Sequence, residues 1–203
     1  MVSCQAMGRP RQHDEHTRAE LLETAARLLT THGPEALSMR RVARLGETST
    51  QAIYTLFGGK DGLIRAMYRQ GFETLDRYLA TVAPGDDAEA ELCALALAYR
   101  GSALSQRHLY TVMFACPLPE FVPTDEDQQL ALGTLERLRT AVRRHQRAFG
   151  RHDVEAVTLQ LWALAHGLAS LELQGALGEP EQAAGYWQQA FRAAVHGYGA
   201  AAD

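Results

Sequence analysis

Apolar residues recur every three or four positions along almost the whole of this chain, and no stretch alternates apolar with polar residues over a strand's length. That period gathers hydrophobic side chains on one side of an α-helix but scatters them over both faces of a strand, so only packed helices can bury them. The periodic segments are parted by residues that end helices: Gly33-Pro34, Gly46, Gly58-Gly59, Pro84-Gly85, the run PLPEFVP at 117–123, Gly150 and Gly178-Glu179-Pro180. The expected fold is all-α, with about nine helices. Thr17-x-x-Glu20 has the form of a capping box and is expected to open the first helix, ahead of Leu21, Leu22, Ala25, Leu28 and Leu29. Ser38 is placed to cap a short second helix to about Leu45, and Thr48 or Ser49 a short third one to about Phe57. Longer helices follow over about 60–82, 86–104, 106–116, 124–149, 153–177 and 180–198.

A chain of 203 residues, 46% hydrophobic and 22% charged, can bury a sizeable core as one large domain or as a small domain joined to a larger one. No apolar run approaches the roughly 20 residues of a membrane span. The opening MVSCQAMGRPRQHDEH lacks the apolar core of a secretory signal, so a cytoplasmic protein with no membrane partner is expected. Cys4, Cys93 and Cys116 form no CxxC pair and suit a reducing compartment. The net charge of −4 is unevenly divided: residues 1–70 carry ten Lys/Arg against seven Asp/Glu, and residues 71–203 carry ten against seventeen. A basic front beside an acidic rear directs any polyanion to the front.

Three short helices within the front have the layout of a helix-turn-helix unit. In the third, Ile53, Leu56 and Phe57 follow the inward spacing, while Thr50, Gln51, Tyr54 and Thr55 form the opposite face. That face is short, polar and free of carboxylates, which a helix entering a DNA major groove between phosphates requires. Gln51 suits an adenine edge, Thr50, Thr55 and the Ala52 methyl suit a thymine methyl, and Tyr54 suits a phosphate oxygen. Arg40 and Arg41 on the second helix, with Thr48 and Ser49 at the turn, complete the expected DNA-contacting set together with Lys60. Arg9, Arg11 and Arg18 form either a basic arm, within a flexible segment 1–16 and just beyond it, or part of an irrelevant tail.

The run from about Leu21 to Leu63 resembles the DNA-binding domain of TetR-type transcriptional repressors. The resemblance rests on the AARLL of the first helix, Gly33, Leu37-Ser38-x-Arg40, Val42-Ala43, Ser49, Ile53-Tyr54, Phe57, Lys60 and Leu63. It implies a helix-turn-helix domain over 17–62, an effector-binding and dimerisation domain over 63–203, and a homodimer whose two third helices read a palindromic, double-stranded operator. Lys60, the only lysine of the chain, stands at the family's phosphate-contact position. One departure is visible: the family usually places glycine and a hydrophobic residue in the turn, where this chain has Glu47-Thr48, with Gly46 one position early.

The last helix carries a stripe of Ala183, Ala184, Trp187, Ala190, Phe191, Ala194 and Val195, and the helix before it is apolar nearly all round. A helix apolar on every side must be covered on more than one. The resemblance implies that these last two helices form the dimer bundle. Trp162-x-x-x-His166-Gly167, with HLYTVMF at 108–114, resembles the tryptophan-histidine-glycine class of TetR C-terminal domains. Gly167 within a helix costs about 1 kcal/mol relative to alanine, so a close approach is expected there. His166 is either a hydrogen-bonded core histidine or the polar anchor of a ligand pocket.

A pocket for a small hydrophobic or aromatic effector would draw on Met67, Phe72, Tyr99, Tyr110 and Met113, and on Phe114, Phe121, Trp162 and His166, unless these are plain core. The proline-rich 117–123 segment is a candidate gate. His13-x-x-His16 is no metal motif without further ligands, GGKD lacks the preceding strand and glycine of a phosphate loop, and no G-x-S-x-G occurs. No catalytic residue, metal or cofactor is expected.

Overall fold

The computed structural model describes residues 11–114, 121–150 and 152–200. Among these the chain forms nine α-helices: α1 (Arg11–His32), α2 (Met39–Leu45), α3 (Thr50–Phe57), α4 (Lys60–Leu79), α5 (Ala88–Ser105), α6 (Arg107–Phe114), α7 (Asp125–Arg144), α8 (Val154–Leu173) and α9 (Pro180–Ala200). Short 3₁₀ turns at Pro34–Ala36 and Gln146–Phe149 join α1 to α2 and extend the end of α7. The chemistry at most boundaries is that expected of the sequence. Ser38 and Ser49 accept from the backbone N–H of Arg41 and Ala52, and Thr124 and Asp127 form a reciprocal capping box.

The first helix is a correction. It starts at Arg11, so Thr17 and Glu20 lie inside it and cap nothing at its end. RQHDEH has no residue that breaks a helix, and Pro10 precedes it. Arg9, Cys4, Cys116 and residues 117–120 of the expected gate lie outside the described residues.

Two hydrophobic clusters share the core. The front one joins Leu22, Leu29, Val42, Ile53, Leu63 and Met67, and takes Leu109 and Val112 from α6. The body cluster begins at Phe72 and runs through α5, α7, α8 and α9 to Val195. The two clusters meet inside α4, between Met67 and Phe72. A continuous helix carries both cores because its apolar residues serve different neighbours in successive turns.

Charged groups fix the long helices to one another. Asp127 is fully buried and accepts from Arg65 Nε at 3.0 Å and Arg69 at 3.1 Å, tying the start of α7 to α4. Burial alone would raise its pKa; the Thr124 and Arg69 hydrogen bonds and the Arg65 charge outweigh that and hold it below the usual carboxylate range. Glu91 of α5 similarly meets Arg144, His145 at 2.8 Å and the Gly85 N–H at 3.1 Å.

α8 corrects the close approach expected at Gly167. Its 20 residues are long and apolar enough, at mean hydropathy 1.2, to cross a membrane by length and composition, and only 28% of that window is buried. Val157, Leu161, Ala165 and Ala169 face the core, while Leu159 and Leu171 are 43% and 45% exposed. No close approach occurs at Gly167 among the described residues, since a Cβ there would meet nothing within 4 Å.

Candidate functional site

The third helix presents the face its sequence requires. Ile53 and Phe57 are buried against the front core, while Gln51, Tyr54 and Thr55 are exposed and Thr50 and Ala52 half-buried. Leu56, expected inward, is 40% exposed: with only eight residues, α3 is pinned by the i, i+4 pair Ile53–Phe57, and Leu56 sits on the shoulder. The Thr55 hydroxyl donates to the Gln51 carbonyl at 2.9 Å and keeps its lone pairs outward. Arg40 is exposed on α2 and Arg41 half-buried; Ser49 is exposed and Thr48 half-buried at the turn. Arg18 does not stand in an arm. It belongs to α1, with its guanidinium 5.6 Å from the Phe57 ring centroid and its Nη1 3.5 Å from Gln70.

The departure in the turn has a structural answer. Gly46 keeps an ordinary φ of −91°, and Glu47 adopts the left-handed φ of 49°. For a residue with a Cβ this costs on the order of 1 kcal/mol. Glycine is needed at 46 for space: a Cβ there would overlap Leu21 Cδ2 and lie 3.2 Å from the Val42 carbonyl. The turn thus uses its glycine for packing against α1 and accepts strain one residue later.

After α3, Gly58 caps the helix at φ 75° and Gly59 turns the chain at φ 135°. Lys60 is the first residue of α4 and exposed, and no side chain caps that N-terminus. Its backbone N–H groups and the Lys60 ammonium can therefore meet one anion together.

The body holds two distinct hollows near the candidate ligand residues. A small apolar cavity of about 30 Å³ lies between α4, α5, α7, α8 and α9, bordered by Tyr99 and Trp162. A groove of about 350 Å³ opens between the end of α1, α6 and α8, and Tyr110, Phe114 and His166 line it. A chain of polar atoms joins the two: Tyr99 Oη to Tyr110 Oη is 3.1 Å, and Tyr110 Oη to His166 Nδ1 is 2.8 Å. Burial pushes the Tyr110 phenol up to about 12, against the pull of Tyr99 and Ser170, and burial holds His166 below the usual imidazole range. His166 is thus a hydrogen-bonded histidine that also borders a groove, and Trp162 stacks beside it at 6.0 Å. The remaining candidates do not converge there. Met67 is fully buried in the front cluster, Phe72 packs against Tyr68 and Phe114, Met113 lies over Gly71, and Phe121 packs on Tyr68.

Residues 21–67 match the family model of bacterial regulatory proteins of the tetR family, and residues 92–194, just over half the chain, match the tetracyclin repressor-like C-terminal domain. The chain belongs to the TetR family. The match carries the family and not the narrower tryptophan-histidine-glycine class. The HTH-type transcriptional regulator Rv1816 of Mycobacterium tuberculosis is 31% identical over 132 residues, 62% of this chain and 55% of that protein. The chain thus spans about half the length of the curated relatives it matches. Among solved structures, the TetR family transcriptional regulator PfmR of Thermus thermophilus shares the fold with a TM-score of 0.73 at 20% identity, over 88% of this chain and 95% of that one. A protein of unknown function from Rhodococcus sp. RHA1 has a TM-score of 0.69 at 25% identity, over 97% and 98%.

Several residues that shape this TetR-family site carry no sequence signal of their own. His108 Nδ1 lies 2.8 Å from the Thr30 hydroxyl and joins α6 to the end of α1. A Cβ at Gly71 would lie 2.6 Å from Met113 Cγ, so α4 and α6 meet closely there. Gly62 allows the same for α3 and α4. Only the HLYTVMF run, which begins at His108, hinted at any of them.

Proposed function

We propose that this TetR-family chain is a homodimeric, one-component repressor that binds a palindromic operator through α3 and is released by a small-molecule effector. The observation that carries the reading is the exposed, carboxylate-free face of α3, followed by the uncapped N-terminus of α4 with Lys60 at its tip. Base edges would meet Gln51 and Thr50, and phosphates would meet Tyr54, Lys60 and Arg40. Residues 17–62 form the reader and 63–203 the sensor and dimer body in this reading, with α4 shared between their cores. Such a protein works beside the chromosome, in the cytoplasm.

A second copy is the occupant we assign to the uncovered face of α8 and the adjoining face of α9. Leu159 and Leu171 on α8 and Tyr186 on α9 are large apolar side chains left between 42% and 45% exposed. Gly167, Gly185 and Gly197 leave open backbone, where a facing helix can approach closely. An interface of this kind is isologous, each copy giving the same two helices. Ala163→Glu, in the middle of the exposed α8 face, is expected to convert the dimer to monomer in sedimentation experiments. A wild-type chain that is monomeric, or that floats with lipid vesicles instead, would remove the assignment.

The DNA reading is tested by mobility shift on the DNA flanking the gene. Tyr54→Ala, which removes a phosphate contact, is expected to weaken binding to a similar degree on every sequence. Lys60→Ala is expected to weaken it evenly across sequences and to lower the salt dependence by about one unit per half-site. Binding that ignores sequence and both substitutions would leave only a helical dimer without an operator.

A further inference from the structure

We propose that the groove between α1, α6 and α8 is the effector site, and that it takes a one- or two-ring aromatic carboxylate. This rests on, and narrows, the ligand-released reading above. At about 350 Å³ the groove lies in the range of small-molecule sites, ~300–1,000 Å³, whereas the apolar cavity of the body offers only about 30 Å³.

Ring-shaped ligand chemistry follows from the walls. Phe114 stands edge-on to His166 at 4.8 Å, and Tyr110 lies 5.0 Å from Phe114 and stacks at 27° on His166. Three flat side chains in mutual contact present faces and edges suited to a planar ring.

Charge selects the acid. In a chain of net charge −4, no carboxylate among the described residues lines this groove, while Arg107, His108 and His166 do. Burial first, and then the positive charges of Arg107 and Arg27, hold His108 below the usual imidazole range. Burial opposes either sign of charge there; the guanidinium charges of Arg107 and Arg27 are what oppose a cation and favour an anion. Arg107 spends one Nη donor on the Leu173 carbonyl at 2.9 Å and retains others at the exposed rim. The nearest carboxylate in sequence, Glu172, is taken by Arg100 and Trp187. Because Nδ1 of His166 already meets the Tyr110 hydroxyl, Nε2 is the nitrogen it offers a ligand. A wholly apolar guest would cover the Thr30, Thr111 and Ser170 hydroxyls and leave their remaining hydrogen-bonding capacity unmet, at a cost in affinity.

Position supplies the coupling. Thr30 and Thr31 belong to the last turn of α1 in the reader, and His166 and Ser170 to α8 in the body. A ligand seated between them adds its contacts to both units at once, and it can favour one arrangement of reader on body only through such differential contact.

Isothermal titration of the full chain, without DNA, uses 2-naphthoate as probe and 2-naphthalenemethanol as its uncharged match. Saturable binding of the acid is expected, with the alcohol at least tenfold weaker. Arg107→Gln is expected to lower acid affinity at least fivefold, and Thr111→Leu, which narrows the groove at a half-exposed helical position, by a similar factor. Leu138→Phe, which fills the apolar cavity, is expected to leave affinity within twofold of the wild type. Absence of acid binding, equal affinity for acid and alcohol, or loss in Leu138→Phe but not in Arg107→Gln overturns the site. Mobility shift without any acid separates this from the regulator reading: DNA bound but no acid bound sinks the site alone, whereas acid bound but no operator bound sinks the regulator and keeps the site.

Discussion

Gly62→Ala is expected to weaken operator binding roughly 100-fold or more while leaving the helical body folded. Gly62 lies in the first turn of α4, and a Cβ there would overlap the Phe57 carbonyl oxygen and lie 2.9 Å from its carbon. Both partners are backbone, so no change of rotamer relieves the overlap. Keeping the junction closed would cost about 3 kcal/mol or more, and opening it tilts α3 away from the position set by Ile53 and Phe57. A displaced reading helix loses at least one base contact of about 1–3 kcal/mol in each half-site, and a dimer loses it twice. The measurements are mobility shift together with helix content and sedimentation. Wild-type DNA affinity in Gly62→Ala would refute the assigned role of this contact, and loss of the dimer along with DNA binding would move its effect from the reader to the whole fold.

Glu172→Ala is expected to destabilise the body by about 3–5 kcal/mol, the loss typical of removing one partner from a buried ion pair. The side chain is 8% exposed and that of Arg100 17%. Arg100 donates to both carboxylate oxygens, at 2.6 Å and 2.9 Å, and to the Pro180 carbonyl, while Trp187 Nε1 donates to Glu172 at 2.8 Å. One carboxylate therefore holds α5, α8 and α9 at the point where α8 gives way to α9. Its removal strands a guanidinium and an indole N–H away from water. At fixed protomer concentration the melting temperature is expected to fall by roughly 10 °C. Arg100→Ala and the double variant complete a cycle in which the two losses should not add. Full additivity, or a loss below about 1 kcal/mol, would show that the pair is peripheral.

Local signals were legible in the sequence and tertiary ones were not. Ser38, Ser49 and Thr124-x-x-Asp127 cap the helices they precede because a cap is satisfied within four residues. Gly58-Gly59 ends α3 for the same local reason. The exposed set Gln51, Tyr54 and Thr55 followed from periodicity alone, whereas Leu56 did not, since one more turn of helix or a different neighbour would bury it. The ligand candidates show the limit most clearly. Met67 and Tyr110 look alike as apolar helix residues, yet one is sealed in the front core and the other borders a groove. Which cluster receives a residue depends on the helix facing it, and the facing helix can be about fifty or more positions away, as with Tyr110 and His166.

By itself the sequence determined an all-α chain, the caps of α2 and α3, the polar face of α3 and the lone Lys60 at the start of α4. Those are consequences of periods and of residues acting on their own backbone. Only the tertiary structure decided that the two cores divide inside α4, that Gly62 lets α3 touch α4, and that α6 joins reader to body through His108 and Thr30. It also decided that Gly46 serves packing while Glu47 bears the turn. The physical reason is common to all four. Each is a distance of a few ångströms between segments that no helical period relates, and only close packing of whole helices sets it.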